Sequence, residues 1–153
     1  MTGSPRFLSA LALVAATAAC AAAPRPALVA TNTGCYALFA TGWQGGVTAA
    51  TGLRGLPPYV ALDATPVGPR GRRIVVQATW QGVGPNPEWA SWRVEGRELV
   101  LTFLGSTGTL EVALRPTPDG YSGDGVTPLR HGVPPVHVTL ANSSCVGLRA
   151  GAA

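Results

Sequence analysis

Apolar and polar residues alternate along most of the chain, the two-residue period of half-buried strands. RRIVVQATW places Ile74, Val76, Ala78 and Trp80 on one face, and EWASWRV groups Ala90, Trp92 and Val94. RELVLTFL gives Leu99, Leu101 and Phe103; TLEVALR gives Leu110, Val112 and Leu114; VHVTL gives Val136, Val138 and Leu140. CYALFA and YVALD read as two earlier strands with no clear inner face. Helical signals are nearly absent, because 20 glycines and 14 prolines interrupt any 3.6-residue period.

The turns between these segments predict how the strands pair. With Glu95-Gly96 as a two-residue hairpin loop, Val94 faces Arg97, Trp92 faces Leu99 and Ala90 faces Leu101. That register also sets Arg93 opposite Glu98. With Gly105 to Gly108 as a four-residue loop, Leu104 faces Thr109, Phe103 faces Leu110, Leu101 faces Val112, and Glu98 faces Arg115. Opposite charges across neighbouring strands favour such a register by a few tenths of a kcal/mol. The loop PTPDG would set Leu114 opposite Tyr121 and Val112 opposite Gly123, but also Glu111 opposite Asp124, a like-charge pair. The glycines of YSGDG leave room for a bulge there.

The expected fold is all-β: a small antiparallel meander of about seven or eight strands, closed as a barrel or folded as a sandwich. A barrel is preferred because closure removes both sheet edges. Its layout is similar in outline to lipocalin-type barrels, although GCYALFATGW, Gly34 to Trp43, does not reproduce their G-x-W signature.

The first residues of the 153 follow different rules. Met1 to Arg6 is short and basic, and Phe7 to Ala19 is an unbroken run of apolar and small residues, FLSALALVAATAA. It is shorter than the roughly 20 residues of a membrane span, and reads as a secretory signal peptide. TAAC, Thr17 to Cys20, resembles the lipobox of bacterial lipoproteins, with Thr17 in place of the usual aliphatic residue. That resemblance covers only the leader. It implies lipidation of Cys20, palmitate included, and membrane attachment in a bacterial cell envelope. Ordinary signal-peptidase cleavage, giving a periplasmic or secreted protein, is the rival, since small residues at Ala16 to Ala18 have the required spacing. The chain thus divides into a signal peptide (1–19), a Pro- and Ala-rich tether (20–33), a β-domain (34–148) and a disordered tail (149–153).

Cys35 and Cys145 lie at the two ends of that domain. Disulfides persist in exported proteins, and the two are expected to pair. The loop they would close, roughly 110 residues, corresponds to about 4.7 kcal/mol of chain entropy.

Composition narrows the chemistry. All 11 basic residues are arginines, set against 7 acids, and apart from RGRR at Arg70 to Arg73 they are scattered. A nucleic-acid surface would cluster them with aromatics, so no nucleic-acid partner is expected. His131 and His137 are the only histidines and do not form a metal site, which needs three or four spaced ligands. No serine lies in a G-x-S-x-G elbow. YSGDG holds a serine and an aspartate, but the sequence names no base to go with them. Asp63, Glu88, Glu111 and Asp124 permit carboxylate pairs without specifying one, and Asn142 to Ser144 matches a glycosylation acceptor that carries little weight in a bacterial chain. No catalytic residue and no cofactor are expected.

The aromatic residues are the stronger lead. Trp80, Trp92, Phe103 and Tyr121, with Leu101, fall on the inferred inner face, and an eight-stranded barrel is wide enough either to fill itself or to hold one small ligand. The expected function is therefore a non-catalytic, small-ligand-binding barrel, exported to the envelope and held there by its N-terminal lipid. The alternative is a structural or protein-interaction lipoprotein, an assembly factor or an inhibitor, with a filled core and an envelope protein as partner.

Overall fold

The protein is represented by a computed structural model that describes residues 32–69, 71–76 and 90–149. The leader with Cys20, most of the tether, Ala78 and Trp80, and all but the first residue of the expected tail lie outside the described residues. Eight strands form a closed antiparallel barrel in sequence order. They are β1 (Gly34–Thr41), β2 (Tyr59–Val67), β3 (Gly71–Val76), β4 (Ala90–Glu95), β5 (Glu98–Leu104), β6 (Thr109–Thr117), β7 (Gly120–Val126) and β8 (Val136–Ser143). Helix α1 (Gly45–Thr51) lies between β1 and β2, and a short helix α2 (Val146–Arg149) follows β8 and packs against β2. The barrel closes where β1 pairs with β8, from Cys35 opposite Ser143 to Thr41 opposite His137.

The inner face carries the alternating apolar residues. Leu99, Leu101 and Phe103 of β5, Leu110, Val112 and Leu114 of β6, and Val136, Val138 and Leu140 of β8 are all buried in one cluster. Ile74 joins them, and Val76 and Val94 pack at the edge of the cluster. The Trp92 ring is buried too, and its indole N–H donates to the Asp63 carbonyl at 2.9 Å. A large ring can enter a core without an orphaned donor only through such a bond.

That carbonyl is available because β2 is irregular. Its register with β3 shifts between Leu62 and Pro66. The Arg72 guanidinium donates to the Ala64 carbonyl at 2.8 Å. The Asp63 carboxylate accepts from the Thr65 amide, the Thr65 hydroxyl (2.6 Å) and Arg73 (2.5 Å). Side chains thus replace ladder bonds that the irregularity removes. The Thr65 contacts first, and then Arg73, hold the Asp63 carboxyl well below the usual carboxylate range.

Two hairpins differ from the registers expected of them. Between β4 and β5 the loop is Gly96-Arg97, with Glu95 opposite Glu98, Val94 opposite Leu99 and Trp92 opposite Leu101. Gly96 has φ +61° and no non-glycine residue has positive φ among the described residues. The glycine therefore takes the first central position, as a type II′ turn requires, whereas a Glu95-Gly96 loop would put strain on Glu95. Arg93 then faces Val100 instead of Glu98 and reaches Glu95 at 2.6 Å and Thr102 at 3.0 Å. Between β6 and β7, pairing runs to Thr117 opposite Gly120, so Leu114 faces Gly123 and Asp124 faces Ala113. This shift of two residues removes the Glu111–Asp124 clash. The β5–β6 hairpin has the expected register, and Arg115 binds Glu98 at 2.9 Å. Shifts of two leave every side chain on its expected face.

Helix α1 has no counterpart in the sequence pattern. It is only 7 residues long, opens Gly-Gly, and buries Val47, Ala50 and Thr51. Such a segment has little helical tendency of its own; contacts with the barrel support it. Gly52, at φ +75°, ends it in the left-handed conformation and donates to the Thr48 carbonyl at 2.7 Å. The Thr107 amide donates to the Thr51 carbonyl at 3.1 Å, docking the β5–β6 loop on the helix end. A Cβ on Gly105 would stand 1.9 Å from that carbonyl oxygen, so the approach requires glycine.

At the opposite end, where the chain enters, Cys35 and Cys145 form a disulfide with Cα atoms 5.2 Å apart. It clasps the first strand to the segment just past the last.

Candidate functional site

The inner residues singled out by sequence are placed unequally. Trp92, Phe103 and Leu101 are enclosed by other side chains of the core. Tyr121 is only half-buried, at the edge of that cluster. Its ring meets Tyr36 edge-on, with centroids 5.9 Å apart. The Tyr36 hydroxyl donates to the Asn32 carbonyl at 3.2 Å, and the Tyr121 hydroxyl donates to the Asn32 side-chain oxygen. Burial, reinforced by Tyr121, pushes the Tyr36 phenol up to about 12, and burial raises Tyr121 as well. Two neutral phenols thus pin the entering chain beside the disulfide. The helix end of the barrel is packed by Val47 and Leu53, both inside the core.

A cleft lies on the outside of the same wall. It has a volume of about 400 Å³ and is lined by Glu98, Ala113, Arg115, Ser122, Gly123, Asp124 and His137. Its origin is the outward parity of β5 to β8. One row across the sheet runs Thr139, Ser122, Arg115, and the next runs His137, Asp124, Ala113. Ala113 projects little, so a depression opens between Glu98–Arg115 on one side and Ser122–Asp124–His137 on the other.

The geometry of the second group is specific. His137 sits directly opposite Asp124 across the β7–β8 ladder, and its Nδ1 lies 3.0 Å from Asp124 Oδ1. Its Nε2 lies 3.1 Å from Ser122 Oγ. Ionised carboxylate only accepts hydrogen bonds, so the proton of the neutral ring is assigned to Nδ1. Nε2 is then the acceptor, and Ser122 Oγ–H donates to it. Thr139 Oγ1 lies 3.5 Å from the same hydroxyl. Ser122 is half-buried; His137 and Asp124 are exposed. Opposite Ser122 in register stands Arg115, whose Nε is held by Glu98 at 2.9 Å. Its two terminal nitrogens have no hydrogen-bond partner among the described residues and can face a ligand.

The order hydroxyl, imidazole, carboxylate is that of an activated serine. Sequence reasoning finds Ser122 and Asp124 in YSGDG and places His137 on the polar parity of its strand. It does not join them, because a long connection, Thr127 to Pro135, leaves the β7–β8 register unreadable. The signal that was available is parity: serine, aspartate and histidine all occupy outward positions on consecutive strands. Among the described residues, no group of three or more His, Cys, Asp or Glu side chains is arranged to hold a metal ion.

No family model, curated protein or solved structure matches the chain.

Proposed function

We propose that this chain is an exported lipoprotein of a bacterial envelope that binds a small polar ligand on the outside of its barrel, in the cleft over Ala113. The observation that carries this reading is the contrast between the two faces of one wall. The inner side chains of β5, β6 and β8 are shut into a single apolar cluster, while the outer face offers a 400 Å³ depression ringed by donors and acceptors. That volume lies within the range of small-molecule sites. Arg115 supplies the donors, and Glu98, Asp124 and the Ser122 hydroxyl oxygen supply acceptors, a set suited to a ligand with a carbonyl or carboxylate beside a donor group. The ligand is set on the outer surface and not between the core aromatics, because Trp92 and Phe103 are buried within the packed apolar cluster.

Export is supported by the leader pattern and by the disulfide, which suits an oxidising compartment. Anchoring rests on Cys20. Replacing Cys20 with serine is expected to release the protein from membranes and abolish palmitate labelling; retention of both would refute the anchor. For the cleft, calorimetric titration of the full chain with small N-acyl amino-acid esters is expected to give saturable binding, weakened about tenfold by Arg115→Ala. Binding unaffected by Arg115→Ala would place the site elsewhere.

A second reading has its own observation. Leu104, Val126 and Leu129 are exposed on the helix end of the barrel, Leu129 to 84%. A protein partner docked there would make this an interaction module.

A further inference from the structure

We infer that Ser122 is a nucleophile toward small carboxylic esters, with His137 as its base, Asp124 as the positioning carboxylate and Arg115 as the donor to the developing oxyanion. The inference rests on the cleft reading and adds a reaction to it. Three observations converge. The Ser122–His137–Asp124 contacts, at 3.1 and 3.0 Å, have the connectivity that lets Nε2 accept the hydroxyl proton while Nδ1–H stays on the carboxylate. The nucleophile faces a depression large enough for a small ester. Arg115 is the cross-strand neighbour of Ser122, with its guanidinium anchored at one nitrogen only.

The step balances without any co-reactant except water. Ser122 Oγ bonds to the ester carbonyl carbon as its proton passes to His137 Nε2. The carbon–alkoxy bond breaks, and the alkoxide leaves as alcohol with that proton. Water then attacks the acyl-serine, again losing its proton to His137, and releases the carboxylic acid with Ser122 restored. The negative charge of each tetrahedral stage develops on the former carbonyl oxygen, beside Arg115.

The fold also sets the limits of this chemistry. Ser122 lies within a paired strand, so neighbouring amides belong to the β-ladder. The oxyanion donors are side-chain groups in place of backbone N–H pairs. Each preorganised oxyanion donor that is missing costs about 10²–10³ in rate; with Arg115 standing in for a pair of donors the expected activity is slow, and formation of the covalent adduct is a better readout than turnover. Asp124 and His137 are open to water, which favours small, soluble esters over buried acyl chains.

The test is reaction of the full oxidised chain with a fluorophosphonate, in which serine oxygen displaces fluoride from phosphorus, followed by peptide mass spectrometry. An adduct on Ser122 is expected, absent in Ser122→Ala. His137→Gln is expected to slow it by about 10² or more, the usual weight of a general base. Asp124→Asn is expected to slow it and Asp124→Glu to restore part of the rate, while circular dichroism stays unchanged in all variants. The absence of a Ser122 adduct, or one formed equally fast in His137→Gln, would overturn the inference. Calorimetry of the same esters separates the two readings: binding without an adduct leaves the cleft as a binding site and removes only the reaction.

Discussion

The two faces of strands β6 to β8 are built from alternate residues of the same strands, yet they do opposite things. Inside, Leu114, Val112, Val138 and Leu140 are fully buried and have no polar contact to satisfy. Outside, Ser122, His137 and Asp124 are linked by directional contacts, Arg115 is paired with Glu98, and the group is open to water. Burial on the inside makes volume the quantity that matters there. Hydrogen-bond geometry matters on the outside, where each contact contributes little to stability. The lesson is a division of labour across one pleat: the inner residues hold the strands in register, and the register brings Ser122, His137 and Asp124 together.

The contrast can be tested by substitution on either face. The largest effect is expected inside. Phe103→Ala is expected to destabilise the barrel by about 3–5 kcal/mol in denaturant unfolding, through lost burial and a residual cavity. Ser122→Ala, on the outside, is expected to change stability by less than about 0.5 kcal/mol. Comparable losses for the two would erase the distinction between faces.

Next is the clasp at the chain-entry end. Replacing Cys35 and Cys145 together by serine is expected to cost about 2–5 kcal/mol, chiefly by loosening the unfolded chain. The cleft lies on strands that pair without the disulfide, so ester binding by the still-folded fraction is expected to persist. Loss of binding in folded, reduced protein would tie the outer face to the clasp.

The smallest effect concerns Asp63. Its carboxyl is depressed in the folded protein by the Thr65 hydrogen bonds and by Arg73, so the folded state binds fewer protons than the unfolded one. The resulting stabilisation is complete above the ordinary aspartate value of about 4 and fades as pH falls below it. Both partners are about one-third exposed, so the contribution is under about 1 kcal/mol. Asp63→Asn is expected to flatten the acid limb of a stability–pH curve by that amount, with no change at pH 7 in ester binding at the distant cleft. An unchanged acid limb would show that the Asp63 contacts do not stabilise the folded state.

Much of this architecture was legible in the alternation alone. Period-2 burial names the inner residues of β4, β5, β6 and β8 because each strand is wet on one side. Register was less legible. GSTG fixed β5–β6, but EGRE and PTPDG each admit two frames differing by two residues, and only backbone conformation at Gly96 or pairing through Pro116 and Thr117 chooses between them. Helix α1 was invisible because its stability comes from docking against Gly105 and Thr107, 54 or more positions beyond its last residue. The outer cluster was half visible: its three residue types and their parity could be read, while their adjacency depends on closing β8 against β7. Cys20 and Trp80 lie outside the described residues.

Ligand chemistry is expected on the outside of the barrel wall. Nuclear magnetic resonance of the labelled, oxidised chain during titration with small N-acyl amino-acid esters tests it most directly. Shifts are expected at the His137 ring, the Arg115 Nε–H and the amides of Ser122 to Asp124, with the Trp92 indole N–H unmoved. Shifts concentrated at the Trp92 indole and the Phe103 ring, with His137 and Arg115 unmoved, would put the ligand inside and contradict it.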